Sequence, residues 1–216
     1  MVKKTFTLSA NLESGIAEGS KYIVTPNVQK AMKEIVDGYQ TGIHSFTIIG
    51  TYGTCKSSFL LNLEQDLNQD TKRRLLLKNT KQLHEGGFEI LNIVGDAKSM
   101  QELLLAKLQV LMQSVESDVL KLLKSYYVRL KNQNKLLLIV IDEFGKVLEH
   151  AAKHNPEEEL YFFQKLTELI NTPTREILLI TTLHQNFSAY ASKLNQTQKN
   201  EWIKVKGRFQ EIVFAE

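Results

Sequence analysis

Residues that signal secretion, covalent cross-linking or disorder are scarce in this sequence. One cysteine, Cys55, occurs among 216 residues, so an internal disulfide is excluded and a thiolate metal cluster cannot be completed. That usage predicts a reducing, cytoplasmic setting. Three prolines and eleven glycines are far below the content of collagen-like or low-complexity chains. No apolar run approaches the ~20 residues of a membrane span. The longest uninterrupted one is residues 136–141. Lys3 and Lys4 are followed by residues 5–20, which lack the apolar stretch of a signal peptide. An excess of one charge is missing too. Lys+Arg number 27 against 24 Asp+Glu, and the resulting +3 is diffuse, announcing neither nucleic acid nor an anionic membrane as partner.

What is present is an ordinary globular composition, 43% hydrophobic and 24% charged, enough to bury one real core. Residues 1–20 are polar and read as a flexible N-terminal arm, leaving a single domain over 21–216. Thr25 followed by Pro26 marks a helix start, and Val28, Ala31, Met32, Ile35, Val36 and Tyr39 repeat at helical spacing until Gly42. Residues 45–49 read as a strand, followed by a glycine-bearing loop and a helix carrying Phe59, Leu60, Leu63 and Leu67. Residues 88–94 read as another strand. Leu104, Leu108, Leu111, Val115, Val119, Leu122, Tyr126 and Leu130 then keep a helical step, predicting one long helix or two broken near Ser117. The aliphatic runs 136–141 and 177–180 have the character of parallel strands buried on both faces. Between them Asn155, Pro156 and three glutamates mark a further helix start. Strands alternating with helices predict a three-layer α/β fold with a mainly parallel sheet.

The segment Gly50, Thr51, Tyr52, Gly53, Thr54, Cys55, Lys56, Ser57, Ser58 sits between a strand and a helix, the context a phosphate-binding loop requires. In such a loop, main-chain N–H groups at the helix start converge on phosphate oxygens. Lys56 would neutralise the terminal phosphates, and the Ser57 hydroxyl would complete a magnesium site. Cys55 departs from the pattern, which calls for glycine before the lysine. A Cβ and sulfur there are expected to narrow the loop, weaken nucleotide binding or misplace the last phosphate.

The strand 136–141 delivers Asp142 and Glu143 at its carboxyl end, where ligands bind in open α/β sheets. Asp142 is the expected magnesium carboxylate. Glu143 is the expected base that orients and deprotonates a water attacking the γ-phosphate. A strand end that merely turns polar at the surface is the plainer alternative for this pair, as a chance glycine turn is for the loop. Their occurrence in the required order, each on its expected element, favours the P-loop reading.

On these motifs the sequence resembles the AAA+ and related STAND-type ATPases, P-loop proteins with a glutamate after the magnesium aspartate. GTYGTCKSSF (50–59), IDEFGK (141–146), TTLHQNF (181–187) and GRF (207–209) look most like ATPase domains of large bacterial proteins, including anti-phage defence proteins. The resemblance implies strand order 5-1-4-3-2, with ATP and Mg2+ as cofactors. It also implies a polar sensor at the tip of the strand after the aspartate–glutamate strand, where His184 matches best and Thr182 is the near alternative. Arg208 matches an arginine finger that would reach a neighbouring subunit in a homo-oligomer or larger complex; a surface arginine in a Gly-Arg turn is the plainer and favoured alternative. Tyr22, Ile23 and Val24 match positions that line an adenine pocket, or form an ordinary hydrophobic lead-in. The family carries a helical lid after this region, so a fragment lacking that lid is expected.

Other signals are weaker. His150 and His154 share a helical spacing without a third ligand at metal spacing, and the basic run Lys72, Arg73, Arg74 reads as a solvated face. Two functions follow from the sequence. One is a Mg-ATP hydrolase whose turnover is coupled to conformational change or assembly in a larger, defence-related complex. The other is a nucleotide-gated interaction module with weak or no hydrolysis, because Cys55 replaces the loop glycine.

Overall fold

The computed structural model describes residues 22–69, 74–78 and 80–214. The arm over 1–20, and Lys72 and Arg73 of the basic run, lie outside the described residues. Five strands form one sheet in the order β2-β3-β4-β1-β5, with every pairing parallel. This is the predicted 5-1-4-3-2 order read from the other edge. The elements, in sequence, are α1 (Pro26–Gln40), β1 (Ser45–Ile49), α2 (Lys56–Leu67), β2 (Gly87–Val94), α3 (Met100–Met112) and α4 (Val119–Lys131). They continue with β3 (Lys135–Asp142), α5 (Phe144–Lys153), α6 (Pro156–Ile170), β4 (Ile177–Leu183), a 3-10 turn (Phe187–Ala191), α7 (Gln196–Lys206) and β5 (Gln210–Val213).

Alternation along the central strands builds two cores. Leu136, Leu138 and Val140 of β3 join Leu178 and Ile180 of β4 beneath α1 and α2. Leu137, Ile139 and Ile141 point the other way, to a core shared with α3 through α7. Both faces are covered, so β3 is aliphatic throughout rather than alternating. Each such side chain contributes about 1.5–3 kcal/mol of burial free energy.

Helix α1 starts where Thr25 and Pro26 predict, with the Val28 N–H donating to the Thr25 hydroxyl at 3.2 Å. The leucine-rich stretch is two helices, separated by residues 113–118. Gln113 takes a left-handed conformation that ends α3, and Asp118 caps α4 by accepting from the Lys121 N–H at 3.0 Å. Of the two alternatives the sequence left open, this is the pair of helices with Ser117 inside the break, and the reset of phase takes Leu111 and Val115 off the apolar stripe. Leu111 is 41% exposed and Val115, in the connecting segment, is 98% exposed. Two helices, α5 and α6, fill the span where one start was marked. Asn155 precedes α6 in a left-handed conformation (φ 48°), and its side chain makes no capping bond to the helix backbone. Instead its amide donates to Glu158. Helix α7 left little trace in the pattern because only Trp202 and Val205 of its residues are buried.

Candidate phosphate-loop site

The strand order does the assembling. In the series β3-β4-β1, three adjacent strands end at the same edge of the sheet. They carry Asp142 and Glu143, then Thr182 and His184, then the loop after Ile49. Groups 134 residues apart in the chain, such as Thr47 and Thr181, thereby touch across neighbouring strands.

The loop from Gly50 to Cys55 closes on itself. The Gly50 N–H donates to Leu183 O at 3.1 Å, and a Cβ at Gly50 would sit 2.4 Å from Phe214 O, so only glycine fits. Gly53 has φ +83° with open space around it. Cys55 has φ 57° and ψ 26° and stands as the N-cap of α2. The missing glycine is thus needed chiefly for the sign of φ, and cysteine accepts that conformation at a cost of about 1–2 kcal/mol. Its thiol is exposed, 3.8 Å from Gly53 O. The loop is not collapsed around it.

Lys56, the first residue of α2, is buried at 6% exposure, and its ammonium turns back into the loop. It donates to Gly50 O at 2.6 Å and to Thr51 O at 2.9 Å, with longer approaches of 3.4 Å to Thr54 Oγ1 and 3.4 Å to His184 Nδ1. Burial lowers its pKa, and the nearby Asp142 and Glu143 carboxylates and Cys55 oppose that shift. Thr54 Oγ1 donates to Thr51 O at 2.8 Å. Of Ser58, the carbonyl takes the Asn62 amide at 2.7 Å, within α2.

Next to the lysine, the Ser57 hydroxyl donates to Asp142 Oδ2 at 2.6 Å. The other carboxylate oxygen, Oδ1, accepts from Thr182 Oγ1 at 2.5 Å and from the Glu143 N–H at 3.0 Å. Thr182 Oγ1 also accepts from the Glu143 N–H at 3.0 Å. Asp142 is 5% exposed and Thr182 1%, while Ser57 and Glu143 are half-buried, and every oxygen of the Ser57, Asp142 and Thr182 side chains has a partner. Glu143 occupies a left-handed turn (φ 55°) from which α5 begins. Gly95, at the end of β2, abuts that turn: a Cβ there would meet Glu143 O at 2.2 Å.

The Glu143 carboxylate faces Lys146 Nζ at 3.5 Å on one oxygen and His184 Nε2 at 3.4 Å on the other. The histidine contact is close enough for an ion pair, yet Nε2 has no aligned hydrogen-bond partner. It is an electrostatic approach. An ammonium only donates, so Nδ1 is the acceptor in any hydrogen bond from Lys56. The Tyr52 ring stacks on the imidazole at 3.6 Å between centroids and 19° between planes. Both strand-tip alternatives therefore reach the site, Thr182 at the aspartate and His184 at the lysine and glutamate. The Thr182 bonds and the Tyr52 stack went unforeseen. Two threonines closing an otherwise aliphatic strand were the available signal for the first.

Arg208 does not join these groups. It precedes β5, whose Gln210 pairs with Phe46 at the start of β1, and so it lies at the opposite edge of the sheet. There its guanidinium bonds Glu168 at 2.9 Å. Tyr22 and Val24 pack partly against the core under α1 and α2, in extended chain rather than a strand, while Ile23 is 78% exposed. The Arg74 guanidinium lies 5.6 Å from the Phe88 ring centroid and bonds Gln69 O at 3.3 Å. His150 and His154 stack on each other at 4.4 Å. Two surface grooves of about 480 and 310 Å³ run along α1 and share no residue with the loop. No helix among the described residues is long and apolar enough to cross a membrane.

No protein-family model and no curated protein matches the chain. Solved structures do. The Aeropyrum pernix ORC2 protein in ADPNP-ADP complexes aligns with a TM-score of 0.60 at 13% identity, over 91% of this chain and 48% of that one. Its ADP form aligns with a TM-score of 0.55 at 13% identity, over 92% and 50%. The chain thus spans about half the length of these proteins. What it shares with them is the fold, an α/β domain built on an all-parallel five-stranded sheet.

Proposed function

We propose that this domain binds Mg-ATP at the Gly50–Ser58 loop and hydrolyses it, with binding or turnover driving conformational change or assembly of a larger, defence-related complex. The observation that carries the reading is the 2.6 Å bond between Ser57 Oγ and Asp142 Oδ2, beside the buried Lys56. It joins the two motifs that a P-loop ATPase must bring together. The ADPNP-ADP complexes of the similar archaeal protein support nucleotide as the ligand class.

Each residue has a task in this reading. Main-chain amides at the start of α2 receive phosphate oxygens. Lys56 keeps two donors on Gly50 O and Thr51 O and offers the remaining one, now spent on 3.4 Å approaches, to a phosphate. Ser57 and Asp142 supply hard oxygen donors of the kind Mg2+ prefers, and they fit it as a pair. When bound, the metal supplies charge neutralisation at the phosphates. Thr182 fixes the Asp142 carboxylate, and Glu143 orients the water and takes its proton. His184 stands between lysine and glutamate as the sensor. Arg208, at the far edge, would act only on a neighbouring subunit of an oligomer. The test is ATP affinity and turnover of the chain, with and without magnesium, beside Lys56→Ala. We expect Lys56→Ala to weaken ATP binding by about 10- to 100-fold. Equal affinity in the variant removes the reading.

The left-handed Cys55 favours a second reading, a nucleotide-gated module that binds ATP but barely hydrolyses it. A phosphate-release assay separates the two. Brisk turnover by the wild type, unchanged in Cys55→Gly, eliminates the second; a large gain in Cys55→Gly supports it.

A further inference from the structure

Tyr52 is the most exposed residue of the loop with a large side chain, 78% accessible, yet one face of its ring lies flat on His184. An exposed aromatic ring ordinarily swings through several rotamers, so a 3.6 Å stack adds a side-chain tie between two segments that the backbone joins only at Gly50 and Leu183. One is the tip of the phosphate loop after β1 and the other is the turn after β4. The imidazole clamped this way is the group lying between Lys56 Nζ and Glu143 Oε1, at 3.4 Å from each. The Gly50 N–H bond to Leu183 O at 3.1 Å brings the His184 backbone to the loop. The Tyr52 ring then holds the plane of the imidazole, with Nδ1 toward Lys56 and Nε2 toward Glu143.

We propose that Tyr52 is a positioning residue for hydrolysis, acting through His184: its stacked ring fixes the imidazole between Lys56 and Glu143, and so ties the candidate base to the state of the phosphate loop. This rests on the ATPase reading given above. Tyr52 takes no proton and forms no bond to the reacting atoms in this role. Its aromatic face matters and its hydroxyl does not. The ring is on the surface, so substitutions should leave the fold intact.

The experiment compares wild type, Tyr52→Ala, Tyr52→Phe, His184→Ala and the Tyr52→Ala/His184→Ala double variant. Without nucleotide, NMR of the His184 ring protons reads the stack directly. A ring-current displacement is expected in the wild type and Tyr52→Phe and should vanish in Tyr52→Ala. With Mg-ATP, Tyr52→Ala should lower kcat by about 10- to 100-fold while KM and nucleotide affinity move less than about 3-fold. Tyr52→Phe should restore turnover toward the wild-type value, and Tyr52→Ala should have no further effect once His184 is alanine. Equal losses in Tyr52→Ala and Tyr52→Phe, additive losses in the double variant, or an unmoved His184 resonance overturns the proposal. Wild-type chain that binds no ATP overturns the proposed function and this catalytic role with it, even where the ring shift is present. Binding without turnover spares the nucleotide reading and overturns the role of Tyr52.

Discussion

Both ends of the sheet carry polar side chains and put them to opposite uses. Helices α2, α3 and α5 begin where β1, β2 and β3 end, so their positive N-terminal ends and free N–H groups collect at one edge. Helices α1, α4, α6 and α7 end where strands begin, so carbonyls collect at the other. At that second edge the side chains are spent on closing the structure. Asn171 Oδ1 accepts from the His44 N–H at 3.2 Å and from Ser45 Oγ at 3.0 Å, and its amide donates to Arg208 O at 3.1 Å. Arg175 donates to the α6 carbonyl of Leu169 at 2.6 Å. At the first edge, Lys56 and Glu143 each keep partners at 3.4 Å or longer, which a ligand can displace at little cost. Polar groups with unspent capacity beside helix N-termini are what the proposed nucleotide site would use.

The largest effect that sharpens this contrast is at Glu143. Glu143→Gln should keep nucleotide binding and lower the hydrolysis rate by about 10²–10⁴-fold in a phosphate-release assay. Unchanged turnover removes it as base. At the opposite edge, Asn171→Ala strips bonds from three backbone or hydroxyl groups, and should cost about 2–3 kcal/mol in urea denaturation while ATP affinity stays within about 2-fold. A loss of ATP affinity larger than the loss of stability explains would break the division between edges. Thr182→Val leaves Asp142 Oδ1 and the Glu143 N–H each with one partner fewer. It should cost about 1–2 kcal/mol of stability and raise the magnesium concentration needed for half-maximal turnover. Thr182→Ser should restore both. The smallest effect concerns the strained cysteine. Cys55→Gly removes the side chain from a left-handed position, a gain reduced by the larger unfolded-state entropy of glycine, for a net stabilisation of about 0.5–1 kcal/mol. A calorimetric Tm raised by about 2 °C is expected.

Local order was legible wherever one element carried its own signal. The start of α1 at Thr25–Pro26, the five residues of β1 and the buried β3 are where capping and periodicity put them. Legibility failed where a local pattern continued by accident or was too thin. Val115 extended a helical step across a break set by the conformation of Gln113, and α7 buries too few residues to declare a face. In the site, Lys56, Ser57, Asp142 and Glu143 were readable because loop and strand end each announce their residue types. The Tyr52–His184 stack was not, since nothing within either segment refers to the other.

By itself, then, the sequence determined an α/β domain with a mainly parallel sheet and the chemical inventory at its strand ends. It did so because burial on two faces, helix starts and glycine turns each impose a short-range pattern. Only the tertiary structure decided which of those ends are neighbours. Placing β4 between β3 and β1 hands Thr182 to Asp142 and His184 to Lys56, and it sends Arg208 to the far edge. Contacts across strands depend on sheet order and register, which are set by the summed packing of both cores rather than by any single segment.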